Sequence, residues 1–392
     1  MMFVDYYKID DLLADEDKLL RDSLRKFLED NIKPLIKQAW HKQEKLDFRT
    51  IAKQFGELGI LGSFIEEKYN CPGATYTTYG IVCQEVERID SALRSFVAVN
   101  TGLVMYPIWR YGSEDQKMKF LPKLASGEKI GCYGLTEPDA GSDPSSMKTT
   151  AKKIKDKWVL NGSKMWITEA EIADVAIVWA KDADDGKVKG FIVEKGTPGF
   201  YQKDLEELGS MRAGGVGELA FTDCAIPLEN RLPNIEGLKG PFSCLNMARY
   251  GISWGAIGAS MDCFETALTY SLDRKQFGEP IASYQLVQEK LANMITEITK
   301  AQLVSLRLSQ LLNENKATPA QISLAKRNNV RTARFCAQTA REILGANGIS
   351  LDYSPIRHMA NIESVYTYEG TDDMHTLIIG RDITGIEAFR KK

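Results

Sequence analysis

Histidine is the scarcest chemically useful residue in this chain. Only three of 392 residues are His, at positions 41, 358 and 375, so a His-rich metal centre is excluded by count. The seven cysteines, Cys71, Cys83, Cys132, Cys224, Cys244, Cys263 and Cys336, are odd in number, widely spaced and contain no Cys-x-x-Cys pair. They read as reduced core thiols, neither a disulfide framework nor a zinc site. No apolar run approaches the roughly 18 residues that span a bilayer. The stretch Met1 to Lys8 has neither the apolar core of a signal peptide nor the Arg/Ser-rich texture of a transit peptide, so a cytoplasmic location is expected.

An excess of either charge is also missing. Fifty Lys and Arg against 53 Asp and Glu give a formal charge of −3, with no broad basic field to hold nucleic acid or an anionic membrane. A Walker A loop is absent, since Gly162-Ser163-Lys164-Met165 lacks the upstream glycine and the hydroxyl after lysine, and reads as a hairpin turn. There is no Gly-x-Gly-x-x-Gly after a strand, no His-Glu-x-x-His and no Gly-x-Ser-x-Gly elbow. Any chemistry must therefore come from carboxylates or from a cofactor.

What the chain does have is ordinary globular composition, 44% hydrophobic and 26% charged, and length enough for two to three domains of about 150 residues. From about Asp15 to Leu124 apolar residues recur at helical spacing, as in Leu19-Leu20-Ser23-Leu24-Phe27-Leu28. Between about Gly131 and Asn234 the texture changes to short β-branched and aromatic runs, Val175 to Trp179 and Phe191 to Val193. Asn161-Gly162 and Asp185-Gly186 stand there as hairpin signals. The helical period then returns. Val287, Leu291, Met294, Ile298, Ala301, Leu308 and Leu312 mark a long bundle helix interrupted by Ser305, and further helices are expected over Pro319 to Leu344 and Asp372 to Phe389. The pattern predicts a mainly α protein with a middle β domain, divided at 1–128, 129–238 and 239–392.

Four segments in order carry a resemblance: Tyr133-Gly134-Leu135-Thr136-Glu137-Pro138-Asp139-Ala140-Gly141-Ser142-Asp143, Trp166-Ile167-Thr168, Arg274-Lys275-Gln276-Phe277-Gly278 and Tyr368-Glu369-Gly370-Thr371. They resemble the flavin and catalytic-base signatures of acyl-CoA dehydrogenases. The resemblance implies an N-terminal helical domain, a β-barrel-like domain and a C-terminal four-helix bundle, with FAD between subunits of a homotetramer. Within that family the glutaryl-CoA-oxidising, decarboxylating branch is resembled through Glu87 to Ser95, Leu245 to Ile252 and Gly385 to Phe389. That branch passes electrons to an electron-transfer flavoprotein.

By this resemblance Glu369 is the base that removes the α proton, while flavin N5 receives the β hydride. Position alone also fits an acidic cap, because Thr371-Asp372-Asp373 reads as a helix N-terminus. Arg94 receives the distal carboxylate of glutaryl-CoA, with Ser95 beside it. Seven residues separate it from Glu87, one face of a helix two turns apart, and spacing alone equally fits a structural ion pair. Tyr368 and Glu87 are linked to decarboxylation. Substrate contacts carried over are Ser142, Phe242, Leu245, Asn246, Arg249 and Gly370, with Arg249 at the CoA end. FAD contacts are Tyr133, Leu135, Thr136, Gly141, Ser142, Trp166, Ile167, Thr168, Arg274, Phe277, Gln285, Glu342, Gly345, Thr371, Asp373 and Phe389, several from a neighbouring subunit. No metal is expected. Departures stand at Asn70-Cys71, where a Gly pair is usual, at Glu169-Ala170 for Asn-Ser, at Glu342 for a residue often Gln, at Ala346 for Gly, and at Asp372 for His. Rival readings are a nondecarboxylating or short-chain or cyclic acyl-CoA dehydrogenase, an acyl-CoA oxidase and a flavin-free acyl-CoA binding protein.

Overall fold

Amphipathic stripes and their caps set the first third of the chain. The computed structural model describes residues 4–388. Helices α1 (Asp15–Phe27) and α2 (Lys33–Lys42) run on through a π-helical turn at Leu28–Ile32, and Leu24, Leu28, Ile32 and Ile36 face the core. Leu19, expected on that stripe, is exposed. Helix α3 is Phe48–Glu57, capped by Asp47; α4 is Tyr76–Ile89, capped by Thr75. Asp90 then takes an extended conformation, φ −163°, and caps α5 (Ser91–Ala98) through Ala92 N–H. A second π-helical turn leads into α6 (Tyr106–Tyr111), and α7 is Glu114–Ala125 with a Ser113/Gln116 capping box.

The middle sheet contains β1 (Gly131–Gly134), β2 (Thr150–Ile154), β3 (Lys157–Thr168), β4 (Val175–Asp182), β5 (Val188–Glu194), β6 (Phe200–Asp204) and β7 (Val216–Pro227). Its order is β1-β4-β2-β3-β7-β6, with β5 on the other edge of β4. β1 and β2 pair parallel to β4, and the other pairs are antiparallel. β4 is buried on both faces: Ala176 and Val178 point into the sheet core, Ile177 and Trp179 into the helical core. That explains its unbroken apolar run.

Helix α8 (Lys239–Asp273) opens the last third, followed by the short hairpin strands β8 (Lys275–Gln276) and β9 (Glu279–Pro280), then α9 (Gln285–Asn313), α10 (Pro319–Ile343), α11 (Pro355–Thr367) and α12 (Asp372–Thr384). α8 packs against α4, α9 and α10. Ser305, the interruption in the α9 stripe, is buried and shares a hydrogen bond with Asn329.

Two turn expectations need correction. Asn161-Gly162 lies inside β3, at a bulge opposite β7, with Thr149 packed against Gly162 and Asn161 bonded to Asp223. The hairpin instead turns at Lys155-Asp156. Gly162-Ser163-Lys164-Met165 is therefore strand, with Lys164 fully buried. Asp185-Gly186 does turn between β4 and β5. The last helix ends at Thr384 because Gly385, at φ 71°, caps it in the left-handed conformation. Phe389 lies outside the described residues.

Candidate active site

The pattern that places Glu369 is a helix start. Thr371 caps α12 through Met374 N–H, and the chain before it turns sharply, with φ 53° at Glu369 and 97° at Gly370. A glutamate in the left-handed region is uncommon and strained. At Gly370 a Cβ would press on His375 and Arg249. Three hydrogen bonds hold the turn: Lys326 Nζ donates to the Tyr368 carbonyl at 3.1 Å and the Gly370 carbonyl at 2.8 Å, and Arg249 Nε donates to the Glu369 carbonyl at 2.8 Å.

Glu369 Oε2 has no hydrogen-bond partner among the described residues. Burial pushes its carboxyl up to about 7, while Arg94, Arg249 and Lys326 pull it back down. A carboxyl poised there can accept a proton near neutral pH. Burial also drives the Lys326 ammonium down to about 7 against the pull of Glu369, and it holds the Arg249 guanidinium below its usual range. His375, fully buried, is pushed down to about 3 by burial and by Lys326 and Arg249, so it stays neutral.

Arg94 is fully buried. Its Nε lies 2.6 Å from Glu87 Oε2, and its Nη2 meets the Tyr368 hydroxyl. The two partners do not sit on one helix face as the spacing predicted: Glu87 stands in the last turn of α4 and Arg94 in the first turn of α5, on either side of the break at Asp90. Asp90 is itself fixed by Trp40 Nε1 at 3.2 Å and by the Arg357 guanidinium. Burial opposes the charge on Arg94, but Glu87 and Tyr368 outweigh it and raise its pKa well above the usual value. Gly255 of α8 lies so close that a Cβ there would overlap Glu87 Oε2. Glu87 Oε1 has no partner among the described residues.

Ser95 Oγ lies 3.3 Å from Thr168 Oγ1 and so links this cluster to the sheet. The end of β3 bulges at Trp166, φ 64°, which turns the indole outward, 57% exposed, while Ile167 points into the sheet core. An exposed indole beside a half-buried threonine is a ready platform for a planar ring. Below it, Lys164 Nζ donates to Glu137 at 2.8 Å and to the Leu135 carbonyl at 3.1 Å; Glu137 also accepts the N–H groups of Lys148 and Thr149. The loop with Leu135, Thr136, Gly141 and Ser142 is thereby pinned, Gly141 and Ser142 remaining exposed. Tyr133 bonds the Pro241 carbonyl at 3.3 Å, where α8 also presents Phe242, Leu245 and Asn246.

Other expected residues lie apart from this cluster. Arg274, the exposed Phe277 at the β8–β9 turn and Gln285 are at the surface, and Asp373 and Gly345 are exposed. Glu342 is paired with Lys290 at 2.9 Å. Arg249, expected at the CoA end, is buried beneath the base turn and bonds Asn246 at 3.3 Å. Among the departures, Asn70 takes the left-handed conformation, Glu169 is buried and accepts from Gly215 N–H, and Asp372 is paired with Arg331. Lys326 and His375 were missed. The available signal was a lysine on the same α10 stripe as Ile322, Asn329 and Val330.

Among the described residues no cluster of His, Cys, Asp or Glu could hold a metal, and no helix is long and apolar enough to cross a membrane. Three family profiles match in order: acyl-CoA dehydrogenase N-terminal domain at residues 14–128, middle domain at 132–224 and C-terminal domain at 236–384. A crystal structure of glutaryl-CoA dehydrogenase from Mycobacterium smegmatis is 46% identical, TM-score 0.95, covering 97% of this chain and 98% of its own. A second, in complex with FADH2, is 44% identical at TM-score 0.96, with 99% of both chains covered. Glutaryl-CoA dehydrogenase of Desulfococcus multivorans is 34% identical, with 95% of this chain and 98% of the relative covered. Mouse mitochondrial short-chain specific acyl-CoA dehydrogenase is 32% identical, covering 94% and 90%. The chain belongs to the acyl-CoA dehydrogenase family and is an FAD-dependent enzyme.

Proposed function

We propose that this enzyme oxidises glutaryl-CoA and decarboxylates the product to crotonyl-CoA and CO2. One observation carries the choice of substrate: a fully buried guanidinium, Arg94, stands beside the base turn with Nη1 unengaged among the described residues. A fixed, buried cation favours a substrate that ends in a carboxylate. The sequence likeness to glutaryl-CoA dehydrogenases points the same way.

The FAD residues fit the group: Trp166 offers an exposed ring face beside Thr168, and the loop of Leu135, Thr136, Gly141 and Ser142 lies next to it. When bound, FAD supplies the acceptor for the β hydride. Glu369 removes the α proton, and the incoming acyl chain strengthens the charge interactions by expelling water. When the γ-carboxylate leaves as CO2, Glu369, now protonated, returns its proton to the dienolate. Arg94, braced by Glu87 and Tyr368, holds the carboxylate until that step. Electrons pass to an electron-transfer flavoprotein. In a homotetramer, as the family resemblance implies, Arg274 and Gln285 would reach a neighbour's FAD, and bacterial relatives support a cytoplasmic location.

A second reading, a nondecarboxylating or short-chain acyl-CoA dehydrogenase, is favoured by the fact that Arg94 is already paired with Glu87 inside the chain. Anaerobic addition of glutaryl-CoA and of butyryl-CoA to the yellow protein separates the two. Rapid flavin bleaching by glutaryl-CoA with crotonyl-CoA as product is expected; bleaching by butyryl-CoA alone, or glutaconyl-CoA as product, would overturn the first reading. Glu369→Gln should abolish bleaching. Turnover with electron-transfer flavoprotein and little peroxide separates a dehydrogenase from an oxidase.

A further inference from the structure

Three successive carbonyls of the base turn point at cations. Lys326, 1% exposed in the middle of α10, takes those of Tyr368 and Gly370, and Arg249 of α8 takes that of Glu369. A trans peptide is planar, with its C=O and N–H antiparallel, and no peptide in the described chain is cis. Fixing the Tyr368 carbonyl therefore fixes the Glu369 N–H on the opposite side of the same plane. Fixing the Glu369 carbonyl does the same for the Gly370 N–H. Neither N–H donates to any described residue. Both are free for a ligand.

We infer that Lys326 is a positioning residue, which turns the Glu369 N–H toward the thioester carbonyl and keeps it there as negative charge develops on that oxygen. This rests on the reading of Glu369 as the base. The need for a clamp follows from the strained backbone, since left-handed φ at a glutamate relaxes unless its surroundings over-determine it. An oxyanion donor works only when it is aimed before the charge appears. Lys326 suits the task because one ammonium carries three donors and can serve two carbonyls at once.

Lys326 also acts on Glu369 through space. Arg94 of α5, Arg249 of α8 and Lys326 of α10 all lower its proton affinity. Tyr79, Cys83 and Glu87 on α4, Tyr133 on β1, Tyr368, and His375 and Asp372 on α12 complete the titratable surroundings of this cluster. His375 and the phenols are neutral near pH 7, so loss of Lys326 is not made good by another cation.

The test uses the flavin-loaded enzyme, with crotonyl-CoA isotope-labelled at its thioester carbonyl as probe. Infrared difference spectra should show the bound carbonyl stretch shifted down in the unaltered protein, and most of that shift lost in Lys326→Met. Lys326→Met should lower kcat by about 10²-fold with KM changed only a few-fold. The acid limb of its kcat/KM profile should move above the value near 7. Lys326→Gln, which keeps one neutral donor arm, should be intermediate in both readouts and serves if the methionine variant does not fold. An undiminished carbonyl shift with unaltered kcat in either folded variant would overturn the inference. Bleaching that survives in Glu369→Gln would instead overturn the reading of the base.

Discussion

Two buried ion pairs flank the site, and they are built differently. Glu137 shares Lys164 with the Leu135 carbonyl and also accepts two backbone N–H groups, so all its neighbours are committed to the loop it pins. Glu87 meets Arg94 through one oxygen and leaves the other unpartnered, while Arg94 keeps one arm unengaged. A buried polar network with every member satisfied rigidifies its surroundings, whereas a half-satisfied one costs stability and persists where it has work to do. On the proposed reading of Arg94, the difference separates a staple from a receptor.

The largest expected effect comes from breaking the receptor. Arg94→Gln should lower kcat/KM for glutaryl-CoA by about 10²–10³-fold and cost about 3–5 kcal/mol of stability, since it strands a buried Glu87. Adding Glu87→Gln should restore much of the melting temperature but not the glutaryl preference; recovery of both would reduce the pair to structure. Next, Glu137→Gln should cost about 2–3 kcal/mol and loosen FAD, read as flavin lost on gel filtration, with the ratio of glutaryl-CoA to butyryl-CoA turnover unchanged. A changed ratio would erase the distinction between the pairs.

Acid titration sharpens the same contrast. If Glu369 is the base, as proposed, it must be ionised to accept a proton, so kcat/KM should rise with pH through about 7. In Arg94→Gln that limb should move up, because a cation that stabilised the carboxylate is gone; in Glu137→Gln it should stay. The smallest effect belongs to a third buried carboxyl, Glu169, which burial raises to about 8. A raised carboxyl favours folding at low pH, and that contribution is lost as pH rises through 8. Glu169→Gln should therefore melt higher than the unaltered protein at pH 9, by ~2 °C, and match it at pH 5.

How much of this could be read from residues depends on whether local pattern and tertiary packing agree. The α9 stripe and the β4 run were legible because each face they present is buried as its period requires. The Thr371 cap announced the start of α12 just after Glu369. Asn161-Gly162 misled because the β3–β7 ladder and the Thr149 contact override its turn preference. The Glu87 and Arg94 spacing was misread through an unbroken helix, when Asp90 is held extended by Trp40 and Arg357 from distant segments. Lys326 escaped because a lone lysine on a stripe ordinarily reaches solvent, and only the assembled structure shows the carbonyls it meets.

The corner at Asp90 has a bearing on how substrate preference can change. On one continuous helix, Glu87 and Arg94 would move as a rigid unit. With a joint between them, each charge is carried by its own segment, and Trp40 and Arg357 hold Asp90 at the corner. On the proposed reading, redesign for a different acyl chain would begin at this corner, where a change of angle separates the two charges without altering Glu87 or Arg94.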